Sequence, residues 1–82
     1  MKIMANNSDI VADAFRAAFS LSDDVEISDD IAFEGIPGWD SVGHMNLVME
    51  IETRIGVALD MDEIIAMDSV RAIRELVAEK QK

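Results

Sequence analysis

The chain has 82 residues, half of them apolar, with a net charge of −10 and no cysteine. That length fits one domain spanning residues 1–82 and leaves no room for a second core. The absence of cysteine excludes a disulfide framework or a thiolate metal centre, and the single histidine, His44, excludes multi-histidine zinc sites.

Between Leu21 and Val70 thirteen acids face one base, Arg54. A surface of that sign repels nucleic acid and anionic membranes, and it steers basic protein partners. With three Phe and one Trp as the only aromatics, the core is expected to be aliphatic, filled by Leu, Ile, Val, Ala and Met. Residues 1–20 carry Lys2, Asp9, Asp13 and Arg16 without a continuous apolar run, so no signal peptide is read there. No apolar run approaches the roughly 18 residues of a membrane span. The expectation is a cytoplasmic monomer without membrane insertion.

The first helix is expected over about 8–20. Ser8 is its cap, Asp9 favours its positive end, and Val11, Ala14, Phe15, Ala18 and Phe19 form one apolar face. Residues 21–39 have no sustained period and contain Ser22, Ser28, Gly35, Pro37 and Gly38. Loops of that length are usually functional. Leu21, Val25, Ile27, Ile31, Phe33 and Ile36 are expected to pin this one to the core.

Asp40 caps the second helix, expected over 41–55, and Gly56 sits at its left-handed C-terminal cap. A short third helix is read over about 62–67. The fourth, over 69–80 and capped by Asp68 or Ser69, buries Val70, Ile73, Leu76 and Val77 and turns Arg71 and Arg74 outward. The expected fold is all-α: a small four-helix up-down bundle, three main helices plus a short third, with a long loop between the first and second.

The second helix carries two stripes. Leu47, Val48, Ile51 and Ile55, with His44 at the top, follow the core spacing, while Val42, Met45 and Met49 lie on a neighbouring face. Spacing alone reads the second stripe either as a widened core face or as an apolar surface for partners, a use to which adaptable Met side chains are suited. Glu50 and Glu52 lie nearby and suit docking on a basic patch with an apolar centre.

Ser41 opens this helix behind the Asp40 cap. Alone it is a poor catalyst but a good attachment point for a phosphate-linked arm. A serine-hydrolase elbow fails, because Trp39 stands where Gly-x-Ser-x-Gly needs its first Gly and no strand precedes the turn. An EF-hand starting at Asp24 fails as well: Asp29 takes the position of the turn glycine and Gly35 that of the bidentate Glu.

The segment Gly38-Trp39-Asp40-Ser41-Val42, continuing through Met45, Leu47, Val48, Met49, Glu50, Ile51 and Glu52, resembles the second helix of acyl carrier proteins. The order of elements along nearly the whole chain is similar too. The resemblance implies that Ser41 receives covalent 4′-phosphopantetheine from coenzyme A through a separate, magnesium-using phosphopantetheinyl transferase. It implies that Asp40 belongs to the recognition surface, and that Val42, Met45 and Met49, with Glu50 and Glu52, dock partner enzymes such as loading enzymes, synthases and acyltransferases that bear basic patches. Acyl groups would ride as thioesters on the arm, and the chain itself would not be an enzyme.

Val42 replaces the family's usual Leu, Gly43 and Asn46 take positions that are often acidic, and His44 takes one commonly small or β-branched. Gly43 also costs the helix about 1 kcal/mol relative to Ala. These departures favour a carrier for a dedicated lipid, polyketide or cell-envelope pathway over general fatty acid synthesis. His44 reads as a semi-buried packing residue, the alternative being a hydrogen bond to the arm's phosphate. The competing functions are a peptidyl or aminoacyl carrier, whose motif tends to be Gly-Gly-His/Asp-Ser-Leu, and an unmodified acidic helical docking module.

Overall fold

Four helices account for the regular structure in a computed structural model that describes residues 9–81: α1 (Ile10–Phe19), α2 (Ser41–Ile55), α3 (Met61–Ala66) and α4 (Val70–Lys80). The all-α small bundle expected from the sequence is what forms. Each helix starts where a short polar side chain can accept from an otherwise unpaired amide. Asp9 accepts from Ala12 N–H, Asp40 from Gly43 N–H, Asp60 from Glu63 N–H and Ser69 from Ala72 N–H. The cap of α1 is therefore Asp9; Ser8 lies outside the described residues.

α3 begins at Met61, one residue earlier than expected. Asp60 and Glu63 form a reciprocal capping box, in which the Glu63 carboxylate also accepts from Asp60 N–H at 3.0 Å. Gly56 closes α2 with φ 71°, the left-handed C-cap expected of it.

The core gathers Val11, Ala12, Ala14 and Phe15 of α1, Leu47, Val48 and Ile51 of α2, and Val70, Ile73 and Val77 of α4. Its centre is not purely aliphatic. The largest fully buried side chains are Trp39 and Phe15, whose rings meet edge to face with centroids 4.9 Å apart. Such a pair contributes about 0.5–1.5 kcal/mol beyond its burial.

The long loop is pinned by fewer side chains than its composition suggests. Ile27 and Ile36 are buried, and Leu21 and Ile31 are partly so, whereas Val25 and Phe33 are each 37% exposed. The backbone does much of the work instead. Phe33 N–H donates to the Asp68 carbonyl at 2.9 Å and Val70 N–H to the Ile31 carbonyl at 2.8 Å, an antiparallel bridge between the loop and the α3–α4 link. Arg16 donates to the Val25 carbonyl at 3.0 Å.

Arg74 does not point outward. It pairs with Asp29 at 2.7 Å and with Asp9, tying α4 to the loop and to the start of α1. Burial works against its charge, but the hydrogen bonds it donates to Asp29 and Asp9 outweigh it and hold the guanidinium above its ordinary value.

Candidate functional site at the start of helix two

The approach to α2 is a tight turn. Trp39 N–H donates to the Ile36 carbonyl at 3.0 Å, with Pro37 second in the turn and Gly38 third at φ 93°. Pro then Gly at positive φ is the signature of a type II turn. The turn drives Trp39 inward, to 1% exposure, and leaves Asp40 and Ser41 exposed two residues on. A buried indole thus fixes the backbone from which Ser41 projects.

Gly43 completes this arrangement. A Cβ there would fall 1.9 Å from the Gly38 carbonyl oxygen and 2.9 Å from the Phe19 ring. Only glycine lets the turn lie directly on the first helical turn, which accounts for a residue that weakens the helix elsewhere.

Asp40 uses its carboxylate on Gly43 N–H at 2.8 Å, and its carbonyl accepts from His44 N–H at 2.7 Å. The first turn of α2 contains no acidic residue, although it lies within the stretch from Leu21 to Val70 that holds thirteen acids. The positive end of this 15-residue helix is therefore offset only by its cap, and an anion on Ser41 would meet first-turn amides that have no partner within the helix.

The second stripe lies on the surface. Val42 is 75% exposed, Met45 47% and Met49 61%. The two glutamates read beside it are engaged within the chain. Glu50 pairs with Arg54 at 3.4 Å, and Glu52 accepts from Leu59 N–H at 2.8 Å, fixing the segment after α2.

His44 lies one turn beyond Ser41 and has both ring nitrogens committed. Nδ1 faces the Trp39 indole nitrogen at 2.9 Å and Nε2 the Ile64 carbonyl at 3.0 Å, which leaves neither for a phosphate. Its ring forms one wall of an apolar cavity of about 270 Å³ lined also by Phe33, Ile64, Ile65, Met67 and Asp68. Sequence reading gave Trp39 no role and could not see Ile64. The lone Trp beside Asp-Ser was the available signal for the first, and a contact across 20 residues left none for the second.

A family model described as a phosphopantetheine attachment site matches residues 9–77. The chain belongs to that family. It is a carrier whose covalent cofactor is 4′-phosphopantetheine, and carrier domains of this kind work with a phosphopantetheinyl transferase and with partner enzymes. No curated protein and no solved structure gave a significant match. The residues at the start of α2 fit the arm: an exposed primary hydroxyl at a helix N-terminus offers an ester oxygen and a favourable place for the resulting phosphodiester.

Proposed function

We propose that this chain is an acyl carrier protein, that Ser41 bears the phosphopantetheine arm, and that it serves a dedicated lipid, polyketide or cell-envelope pathway. The observation that carries the reading is the exposed Ser41 hydroxyl at the first position of α2, held over a buried Trp39. Among the described residues, the other serines are otherwise engaged or placed. Ser69 caps α4, Ser22 donates to Asp24, Ser20 closes α1 in a left-handed conformation and Ser28 is partly buried.

On this reading the Ser41 oxygen attacks the coenzyme A phosphorus that bears the pantetheine, forming the phosphodiester as the pyrophosphate P–O bond breaks and adenosine 3′,5′-bisphosphate leaves, while the hydroxyl proton passes to a base of the transferase. The arm supplies the thiol that carries cargo as a thioester, since the chain has no cysteine. The chain contributes presentation: the Trp39 anchor, the Asp40 cap and the helix end fix where the arm begins. Asp40 is also part of the surface the transferase reads.

Val42, Met45 and Met49 form the docking stripe, with Glu50 at its edge facing basic patches on partner enzymes. Trp39 at the position where peptidyl carriers tend to have glycine, together with the charge of −10, supports the acyl over the aminoacyl type. Among the described residues no helix is long and apolar enough to cross a membrane, in keeping with a carrier at work in the cytoplasm.

The test is intact-protein mass spectrometry before and after incubation with coenzyme A, magnesium and a broad-specificity phosphopantetheinyl transferase. A gain of one phosphopantetheine mapped to Ser41 is expected. No gain on the folded protein, with a known carrier modified in parallel, favours either a carrier that needs its own transferase or an unmodified docking module.

A further inference from the structure

α3 is six residues long and contributes no buried side chain. It is held at its middle, where Glu63 pairs with Lys80 of α4 at 2.6 Å and the carbonyl of the next residue, Ile64, meets His44 of α2. Ile64 packs only partly on the core, and the chain is anchored again just beyond the helix by buried Met67.

The His44 contact has a defined protonation state. An indole N–H can only donate, so His44 Nδ1 must accept from Trp39 and carries no proton. The ring is then the neutral tautomer with its proton on Nε2, aimed at the Ile64 carbonyl. Trp39 cannot yield, because it is buried against Phe15. Its plane lies 18° from that of His44, so one in-line chain of hydrogen bonds runs from the core through the imidazole to α3. A second proton on the ring would set N–H against N–H at Trp39. The ring can relieve that contact only by turning on its α2 backbone, and the turn carries Nε2 off the Ile64 carbonyl.

We propose that His44 is a proton-sensitive latch: neutral, it holds α3 against α2 through the Ile64 carbonyl, and protonated, it releases that contact and opens the apolar cavity beside it. The charged groups around it suit this role. At the cap of its own helix the Asp40 carboxylate is occupied by Gly43; on α3, Glu63 is occupied by Lys80 and Asp60 N–H; the loop offers the ring of Phe33, and from α1 the uncharged Phe15 packs on Trp39. Asp68, on the α3–α4 link, lines the same cavity and provides a counter-charge for the displaced imidazolium. The latch rests on side-chain geometry alone and operates whether or not Ser41 bears the arm.

The experiment uses the unmodified chain, labelled with ¹⁵N. Long-range ring spectra at neutral pH should show the Nε2–H tautomer. On acidification through imidazole protonation, the α3 amide signals should move with the ring's own titration, and amide exchange in α3 should rise roughly tenfold relative to α2 at the same pH, the loss of about one hydrogen bond to a neutral partner. Trp39→Phe keeps an aromatic ring but removes the opposing donor, so in that variant the protonated ring stays on Ile64 and the acid-driven change in α3 disappears. An Nδ1–H tautomer in the wild-type chain overturns the latch. So do α3 signals that ignore the ring's titration, and so does an acid response that survives in Trp39→Phe. The wild-type measurements decide the matter even if Trp39→Phe does not fold.

Discussion

The Gly38 carbonyl oxygen stands 1.9 Å from the point a Cβ on Gly43 would occupy, so the turn before α2 rests directly on the helix it introduces. Gly43→Ala should therefore destabilise the protein, although alanine is the better helix former by about 1 kcal/mol. The blocking atom belongs to the backbone, and overpacking of that kind costs about 1–3 kcal/mol. For a domain of this size each kcal/mol lowers Tm by roughly 4–8 °C. A thermal melt in which the variant matches or exceeds the parent would show that the turn can lift away.

Ser41→Ala should abolish addition of the arm and leave the fold intact. The side chain is exposed at a helix start, where such a change stays within about 0.5 kcal/mol. Mass spectrometry and far-ultraviolet circular dichroism check the two halves separately. A variant that still gains the arm moves the attachment site to another residue.

Met45→Glu and Met49→Glu separate docking from packing. Both side chains are about half exposed or more, so Tm should hardly move. Loaded onto the arm, each variant should be used by its partner enzymes with kcat/KM reduced about tenfold, the usual scale for losing one well-packed interfacial side chain. A fall in Tm of many degrees would assign the stripe to the core instead.

Glu63 predicts a pH dependence. The hydrogen bond from Lys80, then that from Asp60 N–H, holds its carboxyl below the ordinary carboxylate value. In the unfolded chain it titrates at about 4.3. Between the two values the unfolded state binds more protons, so the contribution is whole above the ordinary range and is lost as pH falls through the folded value. Glu63→Gln keeps the capping box and removes the charge. The stability difference between parent and variant, followed by urea melts, should be largest near neutrality and shrink in acid; a difference that grows in acid contradicts the assignment.

How much could be read from the chain follows the range of each interaction. The bounds of α2 were legible because their signals are local: Pro37-Gly38 before it, Asp40 at its start and Gly56 at its end. The place of Ser41 as the first residue of α2 was legible for the same reason. Arg74 was misplaced because its partners, Asp9 and Asp29, lie 65 and 45 residues away. Trp39 was passed over because its neighbours Phe15 and His44 come from different helices. The early start of α3 was readable in Asp60-x-x-Glu63, a capping-box pattern that the sequence reading did not use.

The surface hollow bounded by Asp9, Val11, Arg74, Val77 and Gln81 brings the start of α1 beside the end of α4. The order in which the helices are threaded is therefore not something the packing demands. A circular permutant closed there by a short linker, and opened at the exposed Ser22–Val25 turn, would keep every buried contact, and its melting curve would measure how much of the stability belongs to connectivity.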